Sequence, residues 1–159
     1  SSLETLFEKV ILGGTFDHLH AGHLLLLSCA TLVSSSQVHI GISGDALLKN
    51  KAFADQLEAF DKRQSRVREV VLTMNPNIDL NTFEIQDGYG PTITKEDLDC
   101  IVGSEETRAG CVKVNEVRAQ KSWHELKIII VGLLWTPSAL WLTLGHSGPE
   151  APEPPKLSS

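Results

Sequence analysis

The sequence predicts an α/β fold built on a five-stranded parallel sheet. Short runs of β-branched and aliphatic residues alternate along the chain with longer segments whose apolar residues recur every three or four positions. Strands that alternate with helices in this way form βαβ units, and the strands of such units pair in parallel. The chain has 159 residues, 42% of them hydrophobic, which suits one domain with a buried core.

Five segments have the composition and length of buried strands. The first ends in two glycines, the second reads QVHIGIS and alternates, and the last reads LKIIIVGLL. Runs of this kind, bounded by polar or glycine-containing turns, are typical of strands in a parallel sheet. The predicted strands are Lys9–Gly14, Gln37–Ser43, Leu80–Ile85, Leu98–Gly103 and Leu126–Leu134.

Helices are predicted between these strands. The clearest is amphipathic, with Phe60, Val67 and Val71 on one face, and the NPN sequence after Met74 ends it. The segment after the first strand is largely apolar and contains no proline. The predicted helices are Ala21–Ser35, Ala54–Met74 and Thr107–Ser122, with a short helical turn over Asp45–Asn50.

The end of the chain differs from the rest in composition. Five of the seven prolines fall between Pro137 and Pro155, within a stretch that includes SGPEAPEPP. Proline-rich segments of low complexity do not bury enough apolar surface to fold alone. We therefore predict an α/β domain over residues 1–135 and a poorly ordered tail over residues 136–159.

Charge and hydropathy exclude several classes of partner. The formal net charge is −6, which argues against a protein that mainly binds polyanions. No apolar run reaches membrane-spanning length, and the N-terminal residues lack the order of a signal peptide. We expect neither a nucleic-acid partner nor a membrane partner, and the sequence leaves the oligomeric state open.

The cysteines indicate a reducing compartment. Cys29, Cys100 and Cys111 are odd in number and far apart, and no CxxC pair is present. This spacing supports neither a zinc knuckle nor a disulfide framework. Because free thiols persist in reducing compartments, we expect a cytoplasmic protein.

The junction between the first strand and the first helix has the residues of a phosphate site. Gly13 and Gly14 end the strand, and the helix opens at His20-Ala21-Gly22-His23. Ligands of open parallel sheets lie beyond the carboxyl ends of the strands, and a helix N-terminus offers unpaired N–H groups to an anion. Neither a GxGxxG fingerprint nor a P-loop is present, so the histidines are the distinguishing feature.

His20 and His23 are three residues apart, which puts both imidazoles on one side of the first helical turn. Each ring can donate an N–H to a phosphate oxygen, and the pair can stabilise charge that develops on a phosphorus under attack. Metal binding by His18, His20 and His23 is an alternative, although HxHxxH lacks a carboxylate or cysteine partner. We predict no metal ligand from this motif.

The residues that surround this junction resemble a known family. GGTFDHLHAGH is similar to the first signature of the HxGH nucleotidyltransferases, and within them to the phosphopantetheine adenylyltransferases of the eukaryotic and archaeal type. Four further segments match in the same order: Asn50–Phe53, Tyr89–Pro91, Val102–Thr107 and Val114–Arg118. Together the matches span about residues 8–131.

The resemblance implies a Rossmann-like parallel sheet with helices on both faces. It also implies a reaction in which ATP and 4'-phosphopantetheine give dephospho-coenzyme A and pyrophosphate, with Mg²⁺ accompanying the nucleotide. The acceptor phosphate would attack the α-phosphorus in line, so catalysis would consist of positioning and charge stabilisation.

The resemblance also assigns roles to residues. The positions that match catalytic residues are His20, His23 and Lys51. The positions that match nucleotide-binding residues are Gly13, Gly14, His20, Gly22, His23, Glu106, Arg118, Ser158 and Ser159. The positions that match acceptor-binding residues are Thr15, Lys49, Lys51 and Arg63, where Lys49 is a reserve candidate for the role of Lys51.

Two departures from the family keep alternatives open. Ala59 stands where the family has a proline before Arg63, and Lys156–Ser159 matches only the first half of a final signature of lysine, hydroxyl and basic residues. A truncated chain, an alternative gene end, or a protein that binds ligand and turns over poorly would each explain the second departure. The alternative functions are cytidylyl transfer, adenylyl transfer to nicotinamide mononucleotide, or non-catalytic binding of nucleotide or coenzyme A.

Overall fold

A computed structural model describes residues 6–48 and 56–132, which contain a five-stranded sheet. The strands are β1 (Phe7–Gly14), β2 (Ser34–Ser43), β3 (Asp79–Ile85), β4 (Cys100–Ser104) and β5 (Lys127–Val131). Every pair is parallel and the order is β3-β2-β1-β4-β5. The predicted parallel α/β sheet is confirmed.

Four α-helices connect the strands within the described residues: α1 (Ala21–Val33), α2 (Asp45–Leu48), α3 (Phe60–Met74) and α4 (Arg108–Gln120). Short 3-10 helices at Gly90–Ile93 and Glu105–Thr107 precede β4 and α4. No helix in this part of the chain is both long and apolar enough to cross a bilayer.

The sheet separates two apolar clusters. On one face α1 and α3 pack through Leu27, Ala30, Val67 and Val71 against the strands. On the other face Cys111 and Val114 of α4 pack against Ile11 and Ile101. Alternate residues of a strand point to opposite faces, so Val10 and Leu12 of β1 lie in the first cluster and Ile11 lies in the second. Helices therefore cover both faces, as the family resemblance implied.

The predicted helix over Ala54–Met74 begins later than expected. Ala54 lies outside the described residues, and α3 starts at Phe60 after an extended Ala59. Tertiary hydrogen bonds hold the preceding backbone: the Glu58 N–H donates to Asp17 Oδ1 at 2.8 Å, and Arg63 Nε donates to the Glu58 carbonyl at 3.0 Å. Leu57 therefore precedes the helix, and the local periodicity is overridden.

The other element boundaries differ by a few residues. β2 begins at Ser34, because its first residues pair with β1, so α1 ends at Val33 rather than Ser35. The predicted ends of the turn at Asn50 and of the last strand at Leu134 lie outside the described residues, as does the predicted tail over 136–159.

Candidate active site

The strand order reverses direction at β1, and the crevice there holds the candidate site. β1 lies between β2 and β4, which makes its carboxyl end a topological switch point, where open α/β sheets bind ligands. A cavity of about 560 Å³ opens at this end. We call it the histidine cavity. Its walls are residues 13–16 at the end of β1 and just after it, residues 20, 22, 23 and 26 at the start of α1, Ser43 of β2, and residues 103–107 at the end of β4 and just after it.

The loop from β1 to α1 has an unusual backbone. Phe16 and His18 adopt positive φ values of 53° and 45°, which non-glycine residues rarely do. Phe16 is buried, and its ring would lie 3.2 Å from a β-carbon placed on Gly14. Packing of this ring therefore holds the strained loop in place.

Two imidazoles form the start of α1. The rings of His20 and His23 are stacked, with centroids 3.9 Å apart and planes inclined by 25°. His20 is the N-cap residue: its Nδ1 accepts from the Gly22 N–H at 3.0 Å, and His23 Nδ1 accepts from the His20 N–H at 3.3 Å. The spacing of three thus brings both rings together, and it also caps the helix.

These capping bonds define the tautomer of both rings. A backbone N–H donates to each Nδ1, so each Nδ1 presents its lone pair and the ring hydrogen of the neutral imidazole is on Nε2. Neither Nε2 has a hydrogen-bond partner among the described residues. Two Nε2–H donors are therefore available on the wall of the histidine cavity.

Electrostatics favour the neutral form of His23. Burial lowers the pKa of His23, and the neighbouring His20 lowers it further, while Asp17 opposes the shift. A neutral ring keeps its Nδ1 acceptor for the His20 N–H. The capping bond and the lowered pKa therefore favour the same state, a neutral donor through Nε2.

A buried arginine fastens the loop to the sheet. Arg63 is fully buried, and its Nη1 donates to the carbonyls of Thr15 at 3.0 Å and Ser43 at 2.8 Å. Its Nη2 lies 3.9 Å from Asp45 Oδ1 and has no hydrogen-bond partner among the described residues. Arg63 therefore holds the ends of β1 and β2 at a fixed separation beside the cavity.

Asp17, His18 and Glu58 make a second connection between this loop and α3. The His18 N–H donates to Glu58 Oε1 at 2.7 Å. Side-chain ligand atoms of these three residues lie within 4.8 Å of one another. However, Lys62 and Arg66 lie 3.0 and 3.4 Å from Glu58 Oε2, and they neutralise the carboxylate that a cation would need. We interpret the group as a structural clamp.

A second cavity adjoins the first on the α4 face of the sheet. We call it the apolar cavity; it measures about 290 Å³, and Phe83, Ile85, Ile101, Cys111 and Val114 are among its lining residues. Burial raises the pKa of the Cys111 thiol, which keeps this wall uncharged. The two cavities share Gly13, Gly14, Ser43 and Thr107, so they meet at the carboxyl end of β1.

Comparison with known proteins identifies the family. A model of cytidylyltransferase-like proteins matches residues 11–144. The phosphopantetheine adenylyltransferase of Methanopyrus kandleri is 34% identical over 125 residues, which cover 79% of this chain and 78% of that protein. The chain belongs to the phosphopantetheine adenylyltransferase family.

Other members extend the likeness. The Saccharomyces cerevisiae phosphopantetheine adenylyltransferase is 35% identical over 80% of this chain and 42% of its own length. The chain thus spans about two fifths of the length of the yeast relatives that it matches. An Archaeoglobus fulgidus protein of unknown function superposes with a TM-score of 0.69 at 28% identity, covering 77% of this chain and 88% of that one.

The structure brings together most of the family-matched residues that it describes. The residues of this group that line the histidine cavity are Gly13, Gly14, Thr15, His20, Gly22, His23 and Glu106. Lys49, Lys51, Ser158 and Ser159 lie outside the described residues.

Arg63 and Arg118 make structural contacts among the described residues. Neither lines either cavity, and both are fully buried. The guanidinium of Arg118 donates to the carbonyls of Thr92, Lys95, Glu96 and His124 at 2.7–3.0 Å, which commits its donors to backbone. We therefore interpret Arg118 as connecting α4 to the segment that precedes β4, and Arg63 as connecting β1 to β2. The ligand contacts predicted for them remain predictions.

Several cavity residues were missed at the sequence level. Ser43 ends β2, Ser104 ends β4, and Glu105 and Thr107 follow β4. Thr107 Oγ1 accepts from the Ser104 N–H at 2.9 Å, so the side chain caps the short helix that forms this wall. Their position at the end of a predicted strand, or just after it, was the available signal, since neighbouring parallel strands end at the same edge.

Proposed function

We propose that this chain transfers the adenylyl group of ATP to 4'-phosphopantetheine, giving dephospho-coenzyme A and pyrophosphate. The carrying observation is the junction of the two cavities at Gly13 and Gly14: one is lined by the imidazoles of His20 and His23, and the other is lined mainly by apolar residues. A polar phosphate acceptor with a long uncharged arm matches this division, and its attacking oxygen would enter where the cavities meet.

The histidine cavity suits the phosphates of the nucleotide. The N-terminal end of α1 and the Nε2–H donors of His20 and His23 border the same space, and the positive end of a helix dipole favours anions. In the transfer step an acceptor phosphate oxygen bonds to the α-phosphorus while the bond to the bridging oxygen of pyrophosphate breaks. His23 and His20 stabilise the charge on the transferring group, which requires no proton to move.

The apolar cavity suits the pantetheine arm. Its lining residues are mainly aliphatic and aromatic, and burying such an arm supplies binding energy that holds the acceptor in line. Thr15 lies in the histidine cavity directly after Gly14, and we place the acceptor phosphate against it. Arg63 supports this position through the Thr15 carbonyl.

A magnesium ion fits beside Glu106. Glu105 is bound by Arg108 through two hydrogen bonds of 2.9 and 2.6 Å, whereas Glu106 is exposed in the same cavity and has no ion pair among the described residues. Mg²⁺ takes one or two carboxylates together with phosphate oxygens; bound with ATP, it would supply charge neutralisation on the triphosphate.

We place the reaction in the cytoplasm, because the three cysteines are unpaired thiols.

The direct test is product formation by the full chain. ATP, Mg²⁺ and 4'-phosphopantetheine should yield pyrophosphate and dephospho-coenzyme A in equal amounts. Parallel reactions contain nicotinamide mononucleotide as acceptor, or CTP with an alcohol phosphate. Turnover only in one of these would replace the proposal, and ATP binding without any turnover would favour a binding module.

A further inference from the structure

Gly110 is a glycine that neither the backbone nor the packing of the described residues requires. It lies in the first turn of α4 without a positive φ, and no atom of the described residues lies within 4 Å of a β-carbon placed there. Glycine is a poor helix former, because it loses the most backbone freedom on ordering. Alanine would fit this position and favour the helix.

Other glycines near the two cavities do have such a requirement. A β-carbon on Gly41 would lie 2.5 Å from Ile85 Cδ1, and one on Gly103 would lie 2.7 Å from Thr107 Oγ1. Gly88 has a φ of +87°, which side chains rarely adopt. None of these reasons explains the glycine at position 110. Another known reason for glycine is a ligand that approaches the backbone closely.

The position of Gly110 indicates which ligand. Thr107, Cys111 and Val114 line the apolar cavity, and Gly110 lines it with them, as the spacing of three and four along one helix face requires. Gly110 is also exposed, so it lies at the mouth of this cavity. A side chain there would project from the cavity-facing side of α4 into the opening.

We propose that Gly110 is a specificity-determining residue, whose missing side chain lets the arm of the acceptor pass along the backbone of α4 at the mouth of the apolar cavity. This inference rests on the proposed function, because it takes the arm of 4'-phosphopantetheine as the occupant. The histidine cavity is lined by residues other than Gly110, so nucleotide binding does not depend on this position.

The test compares the full-length wild type with Gly110→Leu and Gly110→Ala. The matched control is Ala109→Leu, an exposed neighbour in the same helical turn that does not line the cavity. Calorimetry measures the Kd for 4'-phosphopantetheine and, separately, the Kd for ATP, and thermal unfolding confirms that each variant folds.

Gly110→Leu should weaken 4'-phosphopantetheine binding by about tenfold or more, as an added side chain in a filled pocket does. Its affinity for ATP should match that of the Ala109→Leu control, and its Tm should be no lower than that of the control, because glycine is the poorer helix former. Gly110→Ala should fall between the wild type and Gly110→Leu in acceptor affinity. Both binding measurements are needed, since a general structural defect would weaken ATP binding and lower Tm as well.

Unchanged acceptor affinity in Gly110→Leu, with a wild type that binds 4'-phosphopantetheine, overturns the role of Gly110 and leaves the proposed function standing. Equal weakening of acceptor and ATP overturns it too, because the side chain would then act on the whole site. A wild type that binds ATP and does not bind 4'-phosphopantetheine contradicts the proposed function itself, and the Gly110 inference is then wrong with it.

Discussion

His23 stacks on His20 with 3.9 Å between ring centroids, and each ring accepts a backbone N–H through Nδ1. Two side chains therefore cap the helix and expose two Nε2–H donors at once. The helix start and the proposed phosphate site are therefore one structure, since the bonds that cap the helix also orient the rings.

Acid should lower the free energy of unfolding because of two histidines, His23 and His39. Burial lowers the pKa of His23, and burial together with nearby Lys95 lowers the pKa of His39. As pH falls below the ordinary value of 6.5, the unfolded chain takes up protons that the folded chain does not. The free energy of unfolding, measured in urea, is therefore fully retained above pH 6.5 and decreases as pH falls through the lowered pKa values.

The matched variant for this prediction is His23→Gln/His39→Gln, which removes both titrating groups and keeps polar side chains. Its free energy of unfolding should change less than that of the wild type between pH 7.5 and 5.5. An equal decrease in the two proteins would contradict the assignment of the pH dependence to these rings.

Replacing Arg63 should destabilise the fold. Arg63→Met removes the donors that now reach the carbonyls of Thr15, Ser43 and Glu58, and buried carbonyls left without a partner should lower the free energy of unfolding by about 3 kcal/mol or more. Arg68→Met, on the exposed side of the same helix, should stay within about 0.5 kcal/mol of the wild type. Similar urea midpoints for the two variants would refute the connecting role of Arg63.

Arg118→Lys should separate a structural role from nucleotide contact. Lysine keeps the charge and loses the fork that reaches four carbonyls, so stability should fall by about 2 kcal/mol. The Kd for ATP should stay within about twofold of the wild-type value. A large loss of ATP affinity with unchanged stability would restore the interpretation of Arg118 as a nucleotide ligand.

Local sequence patterns were sufficient to predict the parallel sheet and the contact between His20 and His23. The β-branched runs around Val10 and Ile40 have no good alternative to a buried strand, and they lie in adjacent strands. The spacing of His20 and His23 on one helical turn dictates that their rings meet. Periodicity and spacing within one element are properties of the sequence itself.

The sequence did not show which polar and charged residues are buried by contacts with distant parts of the chain. The matched motif containing Asn115 and Arg118 suggested a nucleotide contact, whereas Asn115 exchanges two hydrogen bonds with the backbone of Leu126 and Arg118 reaches residues 92–96. In the sequence, an arginine that donates to several backbone carbonyls cannot be distinguished from one that binds a phosphate. The late start of α3 has the same origin, because contacts from Asp17 hold the backbone at Glu58.

We infer above all that the histidine pair stabilises the charge on the transferring adenylyl group. The most direct measurement is kcat for dephospho-coenzyme A formation by His23→Ala, with His18→Asn in the same loop as control, because asparagine tolerates the positive φ and keeps the backbone bond to Glu58. We predict that His23→Ala lowers kcat by about a hundredfold or more, as the loss of one charge-stabilising donor does, while His18→Asn stays close to the wild type. A kcat for His23→Ala equal to that of the control, in a folded protein, would contradict the claim.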